Sequence, residues 1–201
     1  MMQPRIGPGS FLRGFSTMRT FCFIVLAVVC AIGSARAESN AGPSEMVLLT
    51  VSGTIGETNR GPLDPDKDTL LASRKIEFPK AFAFDRPMLL KLGQGEVTAQ
   101  PPGFDAPATF KGPLLREILG RIEAAKLKIT FVALDGFSGW LMPEDIDGSD
   151  WILALEADGR PLGIGQQGPL WLINTRPPGE KAPENGRGDW VWSVFYIKVG
   201  E

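Results

Sequence analysis

The sequence predicts a mixed α+β domain with a mainly β core, on three observations. Two apolar runs, Ile152–Leu155 and Pro169–Ile173, flank a loop punctuated by Asp158, Gly159, Gly163, Gly165 and Gly168, the pattern of two buried strands of one sheet. Strand-like segments outnumber helical ones along the rest of the chain. One helix alone is unmistakable, because Leu115, Ile118, Leu119 and Ile122 recur at i, i+3, i+4 and i+7 behind Pro113.

In chain order, the first segment is one of processing. Arg5, Arg13 and Arg19 precede the apolar stretch Phe21–Ile32, and Ala35-Arg36-Ala37 supplies a small-residue cleavage site. The stretch is a dozen residues, short of the roughly 20 that a spanning helix needs. Residues 1–37 are therefore expected to be a signal peptide, with Met18 an alternative start, and no stable membrane anchor survives cleavage. There is no Arg-Arg pair, and Val29 before Cys30 is too large for a lipoprotein site, so the general secretory route is expected. Residues 38–45 read as a flexible leader and 46–201 as one domain. Met46–Ile55 is β-branched and apolar, a first strand ending at Gly53. Residues 57–68 carry Pro62 and Pro65 and read as a loop. Residues 69–84 are ambiguous, with Lys75–Phe78 alternating like a strand edge. Asp85-Arg86-Pro87 has the chemistry of a helix start, and Gly93 stops that helix. Gly95–Gln100 is a short strand, and an irregular segment runs on to Gly112. Lys128–Leu134 and Ser138–Met142 form a hairpin about Asp135-Gly136, and Pro143–Ile146 one helical turn. After the central pair, residues 174–189 form a loop, and Trp190–Val199 is a closing apolar segment.

Composition narrows the chemistry. The chain has 21 basic and 23 acidic residues; all four charges before position 38 are arginines (Arg5, Arg13, Arg19, Arg36), which leaves 17 against 23, a net charge of −6. Such a balance disfavours nucleic acid and anionic membrane surfaces as partners. There is no histidine, and both cysteines, Cys22 and Cys30, precede the cleavage site. The exported product thus has no disulfide, thiol nucleophile, imidazole base or N/S metal ligand, which excludes Ser–His–Asp and Cys–His catalysis and tetrahedral zinc.

Four segments in order, Gly112–Leu119 (GPLLREIL), Ala133–Ser138 (ALDGFS), Ala157–Leu162 (ADGRPL) and Gly168–Ile173 (GPLWLI), resemble the oxidoreductase molybdopterin-binding domain family, with its sulfite-oxidase-type fold. The likeness runs from about Met46 to Val199 and implies a mixed α+β domain around a β core. It implies molybdopterin as the cofactor to consider. Catalytic members of that family hold molybdenum with a cysteine thiolate in the segment that is here Val97–Phe104 (VTAQPPGF), which has no cysteine. They also often carry an arginine after Gly-Pro-Leu and a lysine before the terminal Trp, where this chain has Trp171 and Asp189. The resemblance accordingly implies a short exported, periplasmic subfamily that has lost metal catalysis and binds a small anionic ligand or a periplasmic protein partner. The alternative is a molybdopterin-dependent oxidoreductase with atypical ligation, Asp105 being the nearest candidate for the metal position.

The candidate cleft residues are Gln166, Gln167, Arg176, Trp140 and Asp105. Gln166 and Gln167 sit in the Gly163–Gly168 loop, whose amides are potential anion donors, although a glycine pattern that opens no helix is usually a plain connection. Arg176 leaves the sheet at a strand end, where loops carry function. Trp140 stands beside a turn. Trp151, Trp171, Trp190 and Trp192 are expected mainly as packing. Asp145, Asp147 and Asp150 are spaced like part of a calcium loop, but Gly148 falls at the wrong place and a capped turn is expected instead.

Overall fold

The computed structural model describes residues 1–2, 41–101, 104–174 and 190–201. Residues 3–40, which hold most of the expected signal peptide and leader, and residues 175–189, with Arg176, lie outside the described residues. Met1–Ala41 separates as a unit from Gly42–Glu201, and the second unit is the domain.

Eleven strands and four helices are described. A five-stranded sheet has the order β2-β1-β11-β5-β6, built from β1 (Val47–Gly53), β2 (Ala81–Asp85), β5 (Ile129–Ala133), β6 (Ser138–Leu141) and β11 (Val194–Val199). β11 runs parallel to β1 and antiparallel to β5, so the last strand lies at the centre of the sheet. A four-stranded sheet holds β3 (Gln94–Ala99), β4 (Ala108–Pro113), β8 (Glu156–Ala157) and β9 (Arg160–Pro161). β7 (Trp151–Ala154) and β10 (Trp171–Asn174) pair antiparallel, with Leu153 opposite Leu172. The helices are α1 (Thr69–Ser73), α2 (Arg86–Leu90), α3 (Leu115–Arg121) and α4 (Pro143–Asp147).

The expected central pair is present, and all eight of its residues are buried. Both of its faces are covered, which explains the unbroken apolar runs. Leu153 and Leu172 face the main core with Phe82, Phe131, Ile118 and Ile197. Ile152, Ala154, Trp171 and Ile173 face a second cluster with Ala108 and Phe110 of β4. β4 lies hard against β7: Leu155 N–H donates to the Lys111 carbonyl at 2.8 Å, and a Cβ on Gly112 would collide with the Leu153 carbonyl.

Two expectations are corrected. Lys75–Phe78 is not a strand; α1 precedes it and the strand is β2, one step later, where Ala81–Asp85 is buried throughout and shows no alternation. The supposedly irregular segment before Gly112 contains β4, paired residue for residue with β3 from Ala108↔Ala99 to Pro113↔Gln94. The helix start at Asp85 is as expected: its carboxylate accepts the Met88 N–H at 2.9 Å. The same carboxylate accepts the Ser44 and Glu45 N–H groups at 2.6 and 3.1 Å, which anchors the end of the leader.

Candidate functional site: an aromatic shelf

The β5–β6 hairpin turns at Asp135-Gly136, with Gly136 at φ 94°. Asp135 Oδ1 accepts the Phe137 N–H at 2.9 Å, a local turn bond that leaves the Phe137 ring 53% exposed. Asp135 Oδ2 accepts the indole N–H of Trp192 at 3.0 Å, and that ring is 46% exposed. The backbone N–H of Phe137 and then the indole of Trp192 hold the Asp135 carboxyl below the usual carboxylate range, against a smaller upward push from burial.

Trp192 comes from a strained stretch. Trp190 and Ser193 have φ of 68° and 53°, the left-handed region that bulky residues avoid. Three backbone bonds tie the stretch down: Leu172 N–H to the Val191 carbonyl at 2.8 Å, Ser193 N–H to the Gln167 carbonyl at 2.8 Å, and Val194 N–H to the Leu170 carbonyl at 2.9 Å. Beneath it, buried Trp171 meets Trp190 and Trp192 edge-on, with centroids 6.3 and 6.5 Å away. Phe110 and Phe104 pack around Trp171 at 5.2 and 5.6 Å. Asp135, Phe137, Trp190, Val191 and Trp192 line a cavity of about 220 Å³. The result is a shelf of three rings and one carboxylate whose backbone geometry is fixed by the central strands.

The sequence candidates fall elsewhere. Trp140 is half-buried on β6, opposite Thr130, with the Lys128 ammonium 5.9 Å over its ring. Asp105 is exposed in the β3–β4 loop. Gln166 is exposed, and the Gln166 and Gly168 amides both donate to the Gly163 carbonyl, so those two are not offered to an anion. Gln167, at φ 62°, reaches the shelf through its carbonyl alone. None of the four lines this cavity or either of two others. One of those, about 310 Å³, lies beside β1 under Met46, Leu70 and Ile164, with Arg60 and Asp68 already paired at 2.6 Å. The other, about 250 Å³, lies between α3 and α4 under Leu119, Leu127 and Ile146. Sequence reasoning saw Asp135-Gly136 only as a turn. An aromatic directly after a hairpin turn, where polar residues are usual, was the available signal.

The residues present do not fit molybdenum ligation. The stretch aligned with the family's thiolate is β3 and its loop, where Gln100 Nε2 donates to the Phe104 carbonyl at 2.9 Å and the Phe104 ring lies on Trp171. Its donors are hydroxyls and amides, not the soft sulfur that molybdenum favours. Among the described residues no group of three or more Asp, Glu, Cys or His is placed to hold a metal. Of the DIDGSD carboxylates, Asp145 accepts the Met142 N–H at 2.9 Å, Asp147 pairs with Lys126 at 3.1 Å and Asp150 pairs with Arg116. No helix among the described residues is long and apolar enough to cross a membrane.

Fold and site together define a mixed α+β, mostly sheet domain with an exposed aromatic shelf. No protein-family model matches the chain, and no curated protein does. Among solved structures it is similar to the sulfane dehydrogenase SoxCD from Paracoccus pantotrophus, with 15% identity and a TM-score of 0.49, over 77% of this chain and 38% of that one. This chain thus spans well under half the length of that protein.

Proposed function

We propose that the domain is a binding module, exported to the periplasm, on a molybdopterin-oxidoreductase-like scaffold that has lost metal catalysis. Its site is the shelf of Asp135, Phe137, Trp190 and Trp192. One observation carries this reading: the half-exposed Trp192 ring is held out by a left-handed backbone that three hydrogen bonds keep in place, beside the equally exposed Phe137 ring on the β5–β6 turn. Strain of this kind costs on the order of 1–3 kcal/mol per residue and clusters at ligand clamps. Large rings left in water rather than folded inward are the usual anchors of recognition.

The test is an NMR screen. The five tryptophans give separate indole N–H resonances, and a library of small aromatic, anionic and cationic fragments is added to the 15N-labelled chain. Hits are expected to move the Trp192 and Trp190 resonances and to leave Trp140 in place, and Trp192→Leu is expected to abolish them. Hits confined to Trp140, no hits at all, or purified protein carrying stoichiometric molybdenum with redox activity would each defeat the reading.

A further inference from the structure

We infer that the shelf takes an alkylated ammonium group, the headgroup of a small quaternary-ammonium solute. This rests on the binding-module reading and adds the ligand's chemistry. The rings of Phe137, Trp190 and Trp192 line the cavity, and an aromatic face, with its negative quadrupole, attracts cations. Asp135 supplies a full negative charge beside them, and the acidic surplus of residues 38–201 adds to the same field.

Aromatics elsewhere in the domain sharpen the point. Phe78, Phe82 and Trp140 already carry a cation from the protein itself: Arg60 at 5.1 Å, Arg121 at 4.8 Å and Lys128 at 5.9 Å. Among the described residues no such contact covers Phe137, Trp190 or Trp192. The lining also selects the kind of cation. Its one charged side chain is Asp135, whose two oxygens accept the Phe137 N–H and the Trp192 indole N–H. A primary ammonium brings three N–H donors, and this carboxylate is the one side-chain acceptor that the lining offers them. A tetraalkylated ammonium brings none, and its methyl groups match the rings and Val191. The volume, about 220 Å³, is below the roughly 300–1,000 Å³ of pockets for drug-sized ligands and suits a headgroup. Among the described residues, Arg74 opposes binding: it donates to the Leu134 carbonyl at 2.5 Å and its charge reaches Asp135.

The experiment is titration of the full chain with choline, read by tryptophan fluorescence and calorimetry, beside its neutral isostere 3,3-dimethylbutan-1-ol. Saturable choline binding is expected, with the isostere weaker by about tenfold or more, the factor that one or two cation–π contacts supply. Asp135→Asn and Trp192→Leu are expected to weaken choline by about the same factor, and Arg74→Gln to tighten it about two- to fivefold by removing a like charge. The isostere comparison needs no variant, so it decides even if a substitution unfolds the protein. Equal binding of choline and the isostere would overturn the inference and leave an apolar site. Absence of saturable choline binding would overturn it too; if library fragments still move Trp192, the binding module stands, and if nothing does, both fall.

Discussion

Asp85 carries four hydrogen bonds on a carboxylate with no solvent exposure: from the Met88, Ser44 and Glu45 N–H groups and from the Ser44 hydroxyl. Burial pushes its pKa up, but the N–H bonds together outweigh that and hold it below the ordinary value. A carboxyl whose folded pKa is depressed stabilises the protein fully above its unfolded pKa, about 3.9, and that contribution is lost as pH falls through the lower folded value. Asp85→Ala should therefore cost about 2–4 kcal/mol at neutral pH, a helix cap plus charge-assisted bonds to a buried site. Urea denaturation measures it, and the gap from the unsubstituted protein should narrow in acid. Trp171 poses a different balance. Its ring anchors the second core cluster, yet its indole N–H is buried without an acceptor among the described residues. Trp171→Ala should cost about 3–5 kcal/mol and alter the near-UV circular dichroism of Trp190 and Trp192. Trp171→Phe should cost less than about 2 kcal/mol, because the lost area is offset by removal of an unsatisfied donor.

At the scale of elements, the contact between β4 and β7 decides why Gly112 stands where it does. The two backbones approach so closely that no Cβ fits. Gly112→Ala should push β4 off the central pair and destabilise by about 2–4 kcal/mol, the range of overpacking with loss of backbone hydrogen bonds; thermal unfolding and amide exchange at Leu155 check it. Legibility also divides at this scale. The α3 stripe was readable because Leu115, Ile118 and Ile122 are buried while Arg116 and Glu117 are not. β7 and β10 were readable because burial on both faces leaves contiguous apolar runs. β2 was missed for a related reason: Ala81–Asp85 is buried on both faces and lacks alternation, so Lys75–Phe78 gave the stronger period-two signal. The shelf was missed because residues 135–137 and 190–193 meet only in the fold. The left-handed backbone at Trp190 and Ser193 is imposed by tertiary hydrogen bonds, with no Gly or Asn to announce it. Trp140, by contrast, looked prominent because it follows a glycine, a property of the local chain that says nothing about which surface the ring joins.

At the scale of the molecule, the five-stranded sheet is closed by β11, which pairs with β1 on one side and β5 on the other. Its inward residues Val194, Ile197 and Val199 lie in the main core, while Tyr196 on the opposite face bonds the Ser52 hydroxyl at 2.5 Å. Ile197→Pro removes a ladder donor from a central strand and should abolish the cooperative urea transition, since proline is tolerated in sheets only at edges and bulges. The same placement has a consequence during synthesis. Until residues 194–199 have left the ribosome, the β1–β2 pair and the β5–β6 hairpin each present a bare inner edge with nothing to join them. For that interval the nascent polypeptide is an open template for strand addition by any passing β-prone neighbour. A holding chaperone that masks those two edges would keep it soluble.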